Sequence, residues 1–166
     1  MFSFFSHLKF LFAATNQHGV HSPFVYNYLT KCLYTSSKYK GNKAAQILQK
    51  SIAYYKVEKL GFYPSQASLE KKIAAVFPKV LQQQSPFDAI IINLENKTTI
   101  DFIEMTTETH NETFVFLEGI YQNKLRSEVW EKLKNDTRIT VSVDLFYCGL
   151  LFFRKEQEKQ HFKIRI

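Results

Sequence analysis

The stretch that decides the fold is residues 56–76, "KVEKLGFYPSQASLEKKIAAV", in which a short β-forming segment is followed by turn residues and a helical segment. Residues 57–62 predict a strand, and residues 66–77 predict a helix with apolar side chains at core spacing, which Pro78 ends. This order cradles nucleotide-like cofactors in α/β folds, through loops that normally carry two or three glycines. Because Gly61 is the one glycine here, the segment predicts a cofactor loop, its remnant or an ordinary turn.

The rest of the chain after residue 57 also alternates between strands and helices. The continuous apolar run "FDAIIIN" (87–93) is typical of a strand buried on both faces of a parallel sheet. We expect a helix at about 99–107, a strand at 113–119 and a helix at 124–135. Residues 139–147 and 150–155 predict an antiparallel hairpin around Gly149. The predicted class is α/β, with an open, mainly parallel sheet, helices on both faces and a C-terminal antiparallel hairpin.

Three helices are expected before the sheet, so we divide the chain into a basic helical extension (1–56) and a sheet domain (57–166), packed as one unit. The second helix begins with Ser22 as a cap and Pro23 at its first position, and the third spans about 43–55. The first is apolar nearly all round. Such a helix must be buried, paired with another chain or laid on a membrane.

The positive charge of the chain lies in its N-terminal third. The 166 residues carry a net charge of +7, and residues 1–57 contain seven lysines and no acidic residue. A patch of one sign predicts an anionic partner, such as nucleic acid, acidic lipid or a phosphorylated ligand, or else a solvated helical surface. Tyrosine and phenylalanine residues alternate with these lysines, as in binders of single-stranded nucleic acid, although helical packing also explains them.

The sequence is typical of a globular protein of the cytoplasm. No stretch approaches the ~20 apolar residues that cross a bilayer. The apolar start lacks a basic n-region and is interrupted by His7 and Lys9, so we do not expect a signal peptide. Cys32 and Cys148 match no metal or redox spacing and are expected to be small core residues of a reducing compartment.

The two ends of the chain resemble a known family. The stretch "TNQHGVHSPFVYNYLTKC" (15–32) is similar to the N-terminal signature of a bacterial family of class I S-adenosylmethionine-dependent methyltransferases. The final stretch, "ITVSVDLFYCGLLFFRKEQEKQHFKIRI" (139–166), resembles the terminal hairpin and tail of the same family, and residues 77–93 and 114–135 resemble internal segments more loosely. The resemblance implies a Rossmann-like sheet of seven strands, preceded by a helical extension.

The chain departs from the family where the cofactor would bind. Family members carry an E-x-G-x-x-x-G stretch after the first strand, and a later acidic residue holds the ribose hydroxyls. Aligning Gly61 with the first glycine puts Lys59 in place of the acid and Ser65 in place of the second glycine. A different register makes "FPKVL" (77–81) a helix and removes the glycine loop. If a cofactor site survives, we expect it to use Gly61, Ser65, Asn93 and Glu118.

No catalytic or metal-binding residue is predicted at the strand ends. The family has an Asp-Gly-Asn-His run where this chain has Asn93, and an amide cannot act as a general base. Of the acidic pair that the family places after the next strand, Glu118 remains. Together with Glu95 it would offer too few oxygen ligands for a hard cation.

His18 and His21, in "HGVHSPF", form the sharpest polar motif outside the sheet. They could act as an acid–base pair or as metal ligands, but residues 1–57 supply no acidic partner. The alternative is a structured turn in which Gly19 relieves the backbone and the histidines bond to buried carbonyl groups.

Three functions remain open at this point. The leading hypothesis is a shortened, degenerate relative of the methyltransferases that binds no cofactor and acts as a scaffold or interaction module. It would form a homodimer or pair with another protein through its first helix and sheet edge. The alternatives are an active methyltransferase with an atypical S-adenosylmethionine loop, and a basic nucleic-acid-binding module.

Overall fold

The computed structural model describes residues 2–94 and 108–166, and within these residues its centre is a sheet of seven strands. The strands are β1 Lys59–Tyr63, β2 Leu81–Gln82, β3 Phe87–Ile92, β4 Thr109–Glu118, β5 Val141–Asp144, β6 Cys148–Phe152 and β7 Gln160–Lys163. Their order is β2-β1-β3-β4-β6-β5-β7, and β6 runs antiparallel to both of its neighbours while the other pairs are parallel. The predicted fold class is therefore confirmed.

Five α-helices surround the sheet within the described residues. They are α1 Phe2–Ala13, α2 Pro23–Tyr28, α3 Lys43–Tyr54, α4 Ala67–Val76 and α5 Lys124–Lys134, and a π-helical turn, Leu29–Leu33, continues α2. Ser22 caps α2 as predicted, accepting a hydrogen bond from the Val25 amide. The helix that we expect at 99–107 lies outside the described residues.

Both faces of the sheet are buried, which explains the continuous apolar run of β3. Alternate residues of β3 belong to two clusters, because successive side chains of a strand point to opposite faces. Ala89 and Ile91 belong to the cluster that contains residues of α2, α3 and α4, whereas Ile90 and Ile92 belong to the cluster around Trp130 of α5. Helices α2 and α3 of the N-terminal extension thus share a core with the sheet. Both cysteines are buried in the first cluster, as predicted.

Two short strands were not predicted from the sequence. Strand β2 has two residues, too few for a periodic pattern, and it pairs with β1 at one edge of the sheet. The register in which "FPKVL" forms a helix is wrong, because α4 ends at Val76 and Leu81 is already in β2. Strand β7, "QHFK", pairs with β5 at the other edge, although its polar composition is that of a surface tail.

The two stretches that resemble the methyltransferase family pack against each other. Thr15 forms a β-bridge with Ile164. The Ser22 hydroxyl donates to the side-chain oxygen of Gln157 at 3.2 Å. The Arg154 guanidinium lies 4.6 Å from the centre of the Phe24 ring. These stretches therefore build one structural unit from the two ends of the chain.

Candidate functional site

A cavity of about 630 Å³ opens where the carboxyl ends of β3 and β4 meet. Strand β2 is added on one side of β1 and β3 on the other, so the order of the strands in the sheet reverses next to β1. Open α/β sheets bind their ligands at such switch points, and this volume lies within the usual range for small-molecule sites. The cavity is lined by the starts of α3 and α4, by the ends of β3 and β4, by the β5–β6 turn and by residues in and before α5.

Two of the four predicted cofactor residues lie in this cavity. Asn93 directly follows β3, and its amide donates to the Tyr63 carbonyl of β1 at 2.9 Å. Glu118 is the exposed last residue of β4, and its carboxylate accepts a hydrogen bond from the Asn42 side chain at 3.2 Å. The structure thus brings Asn93 and Glu118 to one wall, as expected for the ends of neighbouring parallel strands.

Gly61 is a packing residue rather than part of a loop. It is buried in the middle of β1, opposite Ile90 of β3. A Cβ atom at this position would lie 3.1 Å from the nearest atom of the Phe87 ring, which covers that face of the strand. Gly61 is therefore not among the described residues that line the cavity, and a ring contact explains why the strand needs a glycine there.

The N-terminus of α4 is closed by a side chain of the same helix. The Glu70 carboxylate accepts a hydrogen bond from the Ser65 hydroxyl at 2.7 Å and another from the Gln66 amide at 2.8 Å. In the resembled family the corresponding helix end offers free amides to the cofactor's carboxylate. Here a carboxylate already takes one of these donors, and its negative charge opposes a second anion. Ser65, the last of the four predicted residues, is engaged in this contact.

The end of β2 offers no acidic residue for a ribose. Residues 81–84 read "LQQQ", and the Gln83 side chain turns back onto β1. Its carbonyl oxygen accepts from the Phe62 amide at 3.1 Å, and its NH₂ group donates to the Phe62 carbonyl at 3.2 Å. Gln83 therefore continues the pairing of β1 beyond the short β2. Taken with the closed helix end, the residues present do not fit S-adenosylmethionine in the manner of the family.

A partly buried hydrogen-bonded pair, Tyr121 with Asp144, supports the lining of the cavity. The Tyr121 hydroxyl donates to the Asp144 carboxylate at 2.6 Å, and the Phe146 amide donates to its other oxygen at 3.0 Å. Burial raises the pKa of Asp144 despite these bonds, and burial together with the Asp144 charge raises the pKa of Tyr121 strongly. The Tyr121 phenol therefore stays protonated, so it positions the wall rather than serving as a base.

The charged groups of the cavity wall are one acid and two bases. Glu118 is the acidic residue among the described lining residues, while Lys43 and Arg126 are basic. Arg126 is buried and donates to the side chain of Gln122. The sequence did not indicate Lys43, because α3 is far from the ends of β3 and β4 along the chain. It did not indicate Arg126 either, because which side of α5 faces the cavity depends on how the helix packs.

The two histidines of "HGVHSPF" do not join this site. His18 and His21 are both exposed, and the Gln17 side-chain nitrogen lies 3.2 Å from the His18 ring. Gly19 is explained instead by Thr15, whose side chain a Cβ atom at residue 19 would overlap. Across the described parts of the chain, no three His, Cys, Asp or Glu side chains are grouped to hold a metal ion.

Comparison with family models, with curated proteins and with solved structures found no match for this chain. Among residues 2–94 and 108–166, no helix combines the length and apolar character needed to cross a membrane.

Proposed function

We propose that this protein is a methyltransferase-like scaffold that has lost the binding of S-adenosylmethionine and acts as an interaction protein. Three features agree with the Rossmann-like fold that the family resemblance implies: the mainly parallel sheet, the antiparallel strand β6 and the cavity at the switch point. However, the described residues do not form the cofactor-binding loop of the family.

The observation that carries this proposal is the contact of Glu70 with the start of α4. A carboxylate that accepts from Gln66 and Ser65 competes for the donors that a bound amino-acid carboxylate would need. At the neighbouring strand, Gln83 bonds to the main chain of β1 where the family places an acid. Both ends of the expected cofactor site are thus filled by the protein's own side chains.

The interaction role is supported by the surface of α1. Large apolar side chains are exposed along this helix, namely Phe2, Phe4, Phe5, Leu8, Leu11 and Phe12. Contiguous exposed apolar surface of this kind marks interaction sites in soluble proteins. Phe12 is 91% exposed, so this side chain contributes almost nothing to the fold and is free to contact a partner.

Calorimetric titration of the full chain with S-adenosylmethionine and S-adenosylhomocysteine tests the loss of the cofactor. We expect no saturable heat from a sample that unfolds cooperatively. Saturable binding at micromolar strength that Glu118→Ala weakens would contradict the proposal. Glu158→Ala is the matched control, because Glu158 is an exposed acid outside the cavity.

An active methyltransferase with an atypical site is a second candidate, favoured by the cavity itself. Its volume of about 630 Å³ suits a small ligand, and Asn93 and Glu118 offer polar groups on one wall. Methyl transfer depends largely on proximity and alignment, so the absence of a general base does not exclude it. The titration above separates the two candidates, because this one requires cofactor binding in the cavity.

Nucleic-acid binding is a third candidate, favoured by a second cavity in the basic extension. This cavity of about 480 Å³ is lined by Lys31, Lys38 and Lys50 together with Tyr39 and Tyr54. However, the Lys50 ammonium already donates to the carbonyl groups of Leu33 at 2.7 Å and Thr35 at 2.6 Å, so it closes a helix end. This candidate predicts oligonucleotide binding that falls steeply with salt and is lost in Lys38→Glu.

A further inference from the structure

The outward face of α1 is a continuous apolar stripe. Phe4, Leu8 and Phe12 recur every four residues and therefore lie on one side of the helix, with Phe5 and Leu11 beside them. Their exposed fractions are 65%, 39% and 91% for the central row, and 56% and 40% for the two flanking residues. No polar side chain interrupts this row, so the stripe needs a partner that accepts apolar surface.

The other side of α1 holds the helix on the protein and fixes which face points outward. Phe10 is 4% exposed, and its ring lies 5.5 Å from that of Phe146 and 6.3 Å from that of Tyr121. The His7 ring lies 4.4 Å from the Phe146 ring. Because Phe146 and Tyr121 also line the switch-point cavity, α1 lies beside that cavity at the carboxyl edge of the sheet.

The surroundings of α1 are basic. Lys9 is exposed on the helix itself, and the Thr15 amide and carbonyl bond to the backbone of Lys163 and Arg165 at 2.9 Å each. Lys43 lines the cavity that Phe146 shares.

Among the described residues, the carboxylates of Asp144 and Glu118 lie in or next to the cavity beside α1, and both are bonded to neighbouring side chains. Asp144 is buried and accepts the Tyr121 hydroxyl, while Glu118 accepts from Asn42. No acidic residue occurs between residues 1 and 57. Apart from the histidines, every charged side chain within residues 1–57 is therefore basic.

We propose that α1 docks this protein onto an anionic lipid surface, with the stripe in the headgroup region and the basic residues against the lipid phosphates. Interfacial helices bind by this combination of apolar area and attraction to anionic lipid. A second copy of the chain fits less well, because pairing α1 with α1 would bring two acid-free helices together, each with Lys9 exposed and without a carboxylate to pair with it. This inference rests on the proposed interaction role and names the partner.

Co-sedimentation of the full chain with vesicles tests the proposal. We expect binding to vesicles of phosphatidylcholine and phosphatidylserine, weaker binding to phosphatidylcholine alone, and loss of the difference at high salt. Phe12→Ser should lower the partition coefficient on anionic vesicles by roughly tenfold, because it removes one buried aromatic side chain. Lys9→Glu should lower it by roughly tenfold as well, but only on anionic vesicles.

The matched control is Leu125→Ser, which removes an apolar side chain with 46% exposure from α5. It should leave vesicle binding unchanged. Equal binding by the wild-type chain and Phe12→Ser would overturn the proposal. So would absence of vesicle binding together with a dimer in light scattering that Phe12→Ser dissociates, since the stripe would then be a self-interface. Neither result bears on the cofactor titration, so failure of the lipid proposal and failure of the scaffold proposal are distinguishable.

Discussion

Gly61→Ala offers a direct test of whether this glycine serves a ligand or a ring contact. The added Cβ would lie 3.1 Å, 3.2 Å and 3.2 Å from three atoms of the Phe87 ring, and Phe87 is 3% exposed. Overpacking of a buried site costs ~1–3 kcal/mol, while replacing a strand glycine by alanine returns ~0.5–1 kcal/mol. We therefore expect the free energy of unfolding to fall by about 1 kcal/mol, measured by urea denaturation.

The second half of this test uses Phe87→Leu, which removes the ring. In that background Gly61→Ala should be neutral or slightly stabilising, so the double-mutant cycle should give a coupling energy of about 1 kcal/mol. If Gly61→Ala has the same effect with and without the ring, the contact with Phe87 does not explain the glycine. A loss of ligand binding without a loss of stability would instead place Gly61 in a binding site.

Two further substitutions have outcomes that the structure predicts. Gly149→Ala should lower the free energy of unfolding by about 3 kcal/mol, because its Cβ would lie 2.4 Å from the ring of the fully buried Trp130. A loss in urea denaturation that is no larger than the loss for Gly61→Ala would refute this. Asp88→Ala should cost about 2 kcal/mol at pH 7, because the carboxylate accepts hydrogen bonds at 2.8 Å from the amides of Glu58 and Lys59. Burial acts to raise the pKa of Asp88, but these two bonds and a third from His110 together lower it. The lowered pKa means that this stabilisation is present above the unfolded value of about 4 and is lost as the pH falls through the folded value. The difference in the free energy of unfolding between wild type and Asp88→Ala should therefore disappear only below about pH 4. A difference that stays constant down to about pH 2 would contradict this assignment.

The sequence predicted the elements whose pattern is local. The apolar run of β3 and the alternation of strands with helices are consequences of burial on both faces, so they identified the class of the fold. Ser22 and Pro23 marked the start of α2 because capping depends on neighbouring residues alone. The ends of β3 and β4 then placed Asn93 and Glu118 together at the cavity.

The sequence could not predict features that depend on register or on distant partners. Gly61 has the same appearance in a ligand loop and beneath a ring, and its contact with Phe87 exists only once β1 and β3 are aligned. The bond between Asn42 and Glu118 joins residues 76 positions apart. Likewise, Glu70 reads as an ordinary helical residue until the loop before α4 folds back onto it.

The two ends of the chain show which part of the family resemblance is structural. The stretch around His18 forms turns, caps and a β-bridge to the C-terminal tail, all of which are structural contacts. The features that would bind the cofactor lie in the middle of the chain, between β1 and β3, and that segment is where the resemblance is weakest. The proposed scaffold would therefore keep its ends and core without the family's cofactor site.

Urea denaturation in the presence and absence of saturating S-adenosylmethionine tests the central claim most directly, because the transition itself proves that the protein is folded. A ligand at 100 times its dissociation constant would raise the free energy of unfolding by about 2.7 kcal/mol. The scaffold account predicts that the two unfolding curves superimpose. A clear shift to higher urea with the cofactor, absent in Glu118→Ala, would show that the cavity still binds it and would contradict the account.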